Sequence, residues 1–152
     1  MMSDAGSKQR VEFMWDKHMN YAIDPPRELN DWERAVLDRL LSVPFPGHEA
    51  GVTQLPELRV DIACSHCPSV WFVKDVPATR PVVGPDGKPL VGILPCELEG
   101  HDVDGMYMSV LVHVRNGFLR GIDAFRGDLK PFWEIPDPAR LDIVCGDPRS
   151  DV

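Results

Sequence analysis

Residues 106–125 read MYMSVLVHVRNGFLRGIDAF, and their pattern around Asn116-Gly117 predicts a β-hairpin. Asn-Gly is the pair best able to supply the two φ > 0 positions of a type I′ turn. A two-residue turn predicts Arg115 opposite Phe118, His113 opposite Arg120, Leu111 opposite Ile122 and Ser109 opposite Ala124. The other face then carries Val114 with Leu119, Val112 with Gly121, Val110 with Asp123 and Met108 with Phe125. Neither face is cleanly polar in this register. Both therefore need at least partial cover, one from helices and the other from a partner chain, a loop or only solvent around Asp123.

Two shorter candidate strands, 58–63 and 69–74, flank the turn Cys64-Ser-His-Cys-Pro-Ser, and Val91 to Glu99 forms another. Pro95 marks that last strand as an edge, a bulge or a break. Between them, Val76 to Lys88 is rich in proline and glycine and reads as a loop, narrowing into a hairpin around Asp86-Gly87. Helical spacing dominates earlier in the chain. VEFMWDKHMNY, from Val11, predicts a short helix stopped by Asp24-Pro25-Pro26. Asp31 to Leu41 predicts a second, with Asn30 as N-cap and Glu33 in the capping-box position. A short helix through Gln54 follows, with Val52 and Leu55 inward. The tail beyond Arg126-Gly127-Asp128 reads as a covering segment with at most one short edge strand.

These elements make an α+β fold: two N-terminal helices packed on an antiparallel meander sheet of about five strands. We expect a disordered stretch over residues 1–9 and a single α+β domain over 10–152. At 152 residues, 43% hydrophobic and 26% charged, the chain has ordinary globular composition and is long enough to bury a core. Sixteen basic against twenty-four acidic residues give a formal charge of −8. That balance argues against nucleic acid as a partner and favours a basic one. The start MMSDAGSKQR lacks the apolar core of a signal peptide, and no stretch approaches the roughly 18 apolar residues of a membrane span. The expectation is a cytoplasmic protein without a membrane partner, whose four cysteines are thiols or metal ligands rather than disulfides.

Cys64-x-x-Cys67 is the most specific local feature, because two thiolates at that spacing can reach one tetrahedral ion. A structural zinc site would use Cys64 and Cys67 with any of His66, Cys96, Cys145 or His101. The plainer reading is a turn with free, partly buried thiols. A thioredoxin-like redox pair is expected at a helix N-terminus after a strand, and Pro68 is poorly placed for that. Glu97 and Glu99 share a strand face and, with Asp102 and Asp104, could make an acidic pocket; solvated turn carboxylates are the plainer reading of the two aspartates. His113 is read as a sheet histidine beside Arg120, with a general base as the sharper alternative. Trp15, Trp32, Trp71 and Trp133 read as core or interface anchors before they read as a ligand groove. There is no Gly-x-Ser-x-Gly elbow, Walker loop or Gly-x-Gly-x-x-Gly sequence.

The Cys64-Ser-His-Cys-Pro-Ser turn, the hairpin LVHVRNGFLRGIDAFRGD and Pro136-Asp137-Pro138 together resemble a group of small uncharacterised actinobacterial proteins. Helix 31–41 and Phe45-Pro46-Gly47 are similar to that group as well, so the resemblance spans roughly Leu29 to Ile143. It implies no activity and assigns no residue a role. The expected function is therefore non-enzymatic binding of a protein or small ligand, with self-association as a homodimer, motivated by the two-sided apolar hairpin. The alternatives are a small metal-dependent or acid–base enzyme using Glu97, Glu99, Asp102, Asp104 or His113, and a zinc-stabilised structural protein.

Overall fold

The computed structural model describes residues 20–73 and 80–146. The expected disorder at 1–9 and most of the helix expected from Val11 lie outside the described residues. In chain order the elements are β1 (Asn20–Arg27), α1 (Asp31–Leu41), α2 (His48–Gln54), β2 (Val60–Cys64), β3 (Val70–Phe72), β4 (Gly92–Ile93), β5 (Cys96–His101), β6 (Tyr107–Arg115), β7 (Phe118–Arg126) and β8 (Asp142–Cys145). They form an α+β fold with one antiparallel sheet in the order β1-β2-β3-β7-β6-β5-β8, and β4 pairs with β6 beside that path.

Among the described residues the sheet has eight strands, not about five, and its order is not a simple meander. β1 accounts for part of the difference. Its Asp24-Pro25-Pro26 was expected only to end a helix, yet β1 pairs with β2 as the sheet's outermost strand. An edge strand tolerates proline because one row of its N–H groups faces away from any neighbour. The Pro95 break does occur, separating β4 from β5. Val83 bridges Pro89 around Asp86-Gly87, with Gly87 at φ 78°, so the loop narrows there.

α1 is built as its cap signals require. The Asn30 side chain accepts the Glu33 N–H at 2.8 Å, and the Asn30 N–H donates to Glu33 Oε1 at 2.9 Å. The Glu33 carboxylate is buried and also takes two hydrogen bonds, at 2.9 and 2.8 Å, from the Arg27 guanidinium. This ties α1 to the end of β1. In α2 the inward residues are Ala50, Gly51 and Gln54, whereas Val52, expected inward, is exposed. Gly51 brings the two helices together, since a Cβ there would come 2.7 Å from Leu41 Cδ2. Gln54 is fully buried and joins α2 to the hairpin turn: its Nε2 donates to the Arg80 and Gly117 carbonyls, and its Oε1 accepts the Leu119 N–H, each at 2.9 Å.

The central hairpin turns at Asn116 (φ 52°) and Gly117 (φ 84°), as expected of this pair. Its register holds for Arg115–Phe118 and Val114–Leu119, then changes. His113 faces Gly121, Val112 faces Ile122, Leu111 faces Asp123, Val110 faces Ala124 and Ser109 faces Phe125. Arg120 is thus the extra residue of a β-bulge. One inserted residue moves every later side chain of β7 to the opposite face. Val110, Val112, Val114, Leu119, Ile122 and Ala124 consequently share the side under α1 and α2, and all are buried. The bulge gathers these residues on the helix side and leaves Leu111 and Phe125 half-buried on the other face.

Cys96 and Cys145 face each other on β5 and β8 and form a disulfide, correcting the expectation that all four cysteines are thiols or metal ligands. Residues 132–141 lie along α1, where Trp32 Nε1 donates to the Pro136 carbonyl at 2.8 Å and Arg39 donates to the Pro138 and Leu141 carbonyls. No described helix is long and apolar enough to cross a membrane.

Candidate functional site: the cysteine turn and the outer sheet face

The face of the sheet opposite α1 and α2 carries one row across five strands: Ile62, Trp71, Gly121, His113 and Ile93 on β2, β3, β7, β6 and β4. Gly121 shapes this row. A Cβ at that position would collide with the Trp71 ring, so the missing side chain lets the indole lie across β7. Trp71 thereby reaches His113, with ring centroids 5.2 Å apart. The next row holds Asp123 and Leu111, and the following one Phe125, Ser109 and Glu99.

His113 Nε2 lies 3.3 Å from Asp123 Oδ2. Expected beside Arg120, His113 meets a carboxylate instead, because the bulge takes Arg120 out of the ladder; Arg120 donates to the Phe72 carbonyl at 3.0 Å. The other oxygen of Asp123 accepts from Ser69 Oγ at 3.3 Å. Ser69 is buried, accepts the Ala124 N–H at 2.9 Å, and takes the Cys67 thiol proton at 3.2 Å. A continuous polar chain therefore runs Cys67, Ser69, Asp123, His113.

Cys64 closes β2, and its sulfur accepts the His66 N–H at 3.4 Å. The Cys64 and Cys67 side chains are within hydrogen-bonding reach of each other. Burial, opposed in part by the Ser69 hydrogen bond, pushes the Cys67 thiol up to about 11. Cys67 thus holds its proton at neutral pH. Cys96 and Cys145 stand on β5 and β8, four or more strands from β2 and so roughly 19 Å or more away, with their sulfurs bonded to each other. They cannot complete a thiolate set with Cys64 and Cys67. Among the described residues, no three His, Cys, Asp or Glu side chains are grouped to hold a metal ion.

The carboxylates weighed as an acidic pocket divide into two groups. Glu97 accepts from Ser109 Oγ at 2.5 Å on the outer face, where Glu99 stands directly opposite Asp142. Asp102 and Asp104 instead bind Arg126, each at 2.9 Å, and Asp128 joins them at 2.7 Å. Arg126 is almost completely buried. Burial would raise the Asp102 carboxyl, but N–H donation from Trp133 and Val103, together with Arg126, holds it below the usual range. The Arg126 hydrogen bond lowers Asp104 and Asp128 likewise. These aspartates are not simple solvated turn formers: they fasten the 102–105 turn and the start of the tail to β7. Of the tryptophans, Trp32 anchors the tail, Trp71 lies on the outer face, Trp133 is exposed, and Trp15 lies outside the described residues.

Ser69 and Asp123 had no sequence signal as site residues. Their contact spans 54 positions and depends on β3 pairing with β7 and on the bulge register. Compared with protein-family models, curated proteins and solved structures, the chain matches none.

Proposed function

We propose that this chain acts by binding a basic segment of another protein on its outer sheet face. The observation that carries the reading is that this face joins an aromatic and aliphatic strip to carboxylates that, among the described residues, have no cation beside them. Trp71, Leu111 and Phe125 lie half-buried along it, with Ile62, Ile93, Tyr107 and Val144 exposed around them. Glu99 and Asp142 oppose each other across β5 and β8, with Glu97 two residues along. Like charges placed directly opposite cost stability, and a partner's cation relieves that cost. Lysine and arginine side chains also pack favourably on aromatic faces. The overall charge of −8 steers in the same direction.

A protein segment fits better than a small molecule. Two hollows, of about 260 and 310 Å³, are lined by residues such as Asn30 with Arg59 and Gly47 with Arg80, away from this strip. A second copy of the chain fits less well, because a face-to-face dimer brings two sets of these carboxylates together.

Calorimetric titration with lysine- and arginine-rich peptides, and with acidic peptides of equal length, tests the reading. Only the basic peptides should bind, more weakly as salt rises, and Trp71→Ala or Glu99→Gln should weaken binding by about tenfold. Equal binding of acidic peptides, or unchanged affinity in both variants, overturns it. So does a concentration-dependent dimer in sedimentation that Trp71→Ala dissociates.

A further inference from the structure

We propose that Cys64 and Cys67 form a thiol–disulfide exchange site, in which Cys64 attacks a disulfide of another molecule and Cys67 resolves the mixed disulfide. The proton of Cys67 leaves through Ser69 to Asp123. This site lies at the β2–β3 turn and does not rest on the basic-segment reading.

The two thiols share one tight turn, Cys64 at the end of β2 and Cys67 three residues on, but differ in their surroundings. The Cys67 proton is committed to Ser69 Oγ, in a setting where burial keeps the thiol protonated. Cys67 is therefore not the attacking group at neutral pH, since the thiolate is the nucleophile. Cys64 terminates β2 with an amide N–H aimed at its sulfur, and it is the partner left to attack.

The resolving step needs Cys67 to lose its proton, and the fold supplies the path. Ser69 Oγ takes the thiol proton at 3.2 Å while its own hydroxyl faces Asp123 Oδ1 and the Ala124 carbonyl, both at 3.3 Å. The Ala124 N–H, donated to the same Oγ at 2.9 Å, fixes the orientation of that oxygen. A carboxylate at the end of the path is a competent acceptor. His113, against the other oxygen of Asp123, holds that carboxylate in place.

The chemistry balances without a further oxidant. The Cys64 thiolate attacks R–S–S–R′, forming Cys64–S–S–R and releasing R′–S⁻. As the Cys67 sulfur attacks Cys64 Sγ, its proton passes to Ser69 and the Ser69 proton to Asp123, releasing R–S⁻ and forming the Cys64–Cys67 disulfide. The two cysteines are oxidised and the substrate disulfide is reduced to two thiols, whose protons come from Asp123 and solvent. The structural Cys96–Cys145 bond takes no part.

The test mixes the full chain, with the Cys96–Cys145 bond verified intact by peptide mass mapping, with dithiodipyridine and follows pyridinethione release by stopped flow. Wild type should release it in two phases, ending with an internal Cys64–Cys67 disulfide. Cys67→Ser should stop after the first phase with the adduct on Cys64. Asp123→Asn should leave the first phase unchanged and slow the second by about a hundredfold. A first adduct on Cys67, no internal disulfide, or an unchanged second phase in Asp123→Asn overturns the proposal. If Cys67→Ser does not fold, acid quenching of the wild-type reaction and mass mapping identify the first sulfur attacked.

Discussion

His113 and Asp123 meet at 3.3 Å across β6 and β7 because Arg120 is bulged out of the ladder between them and the turn. Without that one-residue insertion Asp123 would lie among Val110, Val112 and Val114, under the helices. The bulge thus performs two tasks at once: it closes the apolar core and presents a polar group on the outer face. Both side chains of the pair are about one-third exposed, at 35% and 36%, so its role is to orient groups rather than to stabilise the fold.

Gly121 should be intolerant of a side chain. Gly121→Val drives a Cβ into the Trp71 ring, with Cζ3 at 2.7 Å and the Val70 carbonyl at 2.7 Å. Destabilisation of roughly 1–3 kcal/mol in urea unfolding is expected, with loss of peptide binding as the indole is displaced. Gly121→Ala should show a smaller effect in the same direction.

Arg126→Met should lower Tm by roughly 10 °C, because it leaves the buried Asp102 facing no cation. Asp104→Asn, at a half-exposed partner of the same guanidinium, should cost far less. Calorimetric melting of the two variants distinguishes a core clamp from a surface cluster. Equal losses would mean that burial of Asp102 carries no special weight.

The same clamp sets an acid limit. Asp102, Asp104 and Asp128 are all held below the usual carboxylate range in the folded state. Below roughly pH 4 the unfolded chain begins to bind protons that the folded chain refuses, so stability falls as pH drops toward the folded pKa values. Above that range the contribution is fully present. Urea midpoints measured from pH 6 to pH 3 should fall in wild type and fall less steeply in Arg126→Met.

Cys67 gives the opposite sign at alkaline pH. Its ordinary value of 9.0 rises to about 11 in the folded chain, so its contribution is complete below 9 and is lost as pH climbs through 11. Alkylation with iodoacetamide at pH 8 should accordingly label Cys64 well before Cys67, as read by peptide mass mapping.

Opening the Cys96–Cys145 bond should destabilise the chain by about 4 kcal/mol on chain-entropy grounds, given the 49-residue separation. Cys96→Ala with Cys145→Ala tests this by chemical unfolding. Hydrogen exchange should rise first along β8, whose sheet partner is β5.

Local chemistry made several elements legible in the sequence. Asn116-Gly117 determined a tight turn because few residue pairs accept two positive φ angles. Asn30 with Glu33 determined where α1 begins, through the reciprocal cap that the structure contains. Pro95 marked an edge, a bulge or a break, and the structure takes the break, between β4 and β5. The α+β class followed from these period changes. What tertiary structure alone decided was pairing between distant segments: β1 on β2, β8 on β5, and above all β3 on β7. A bulge has no reliable local signature, since any residue can occupy it, yet shifting β7 by one position reverses which side chains face the helices. Cys64-x-x-Cys67 was legible as a pair of thiols. Its link through Ser69 to Asp123 and His113 exists only once β3, β7 and β6 lie side by side in the bulged register.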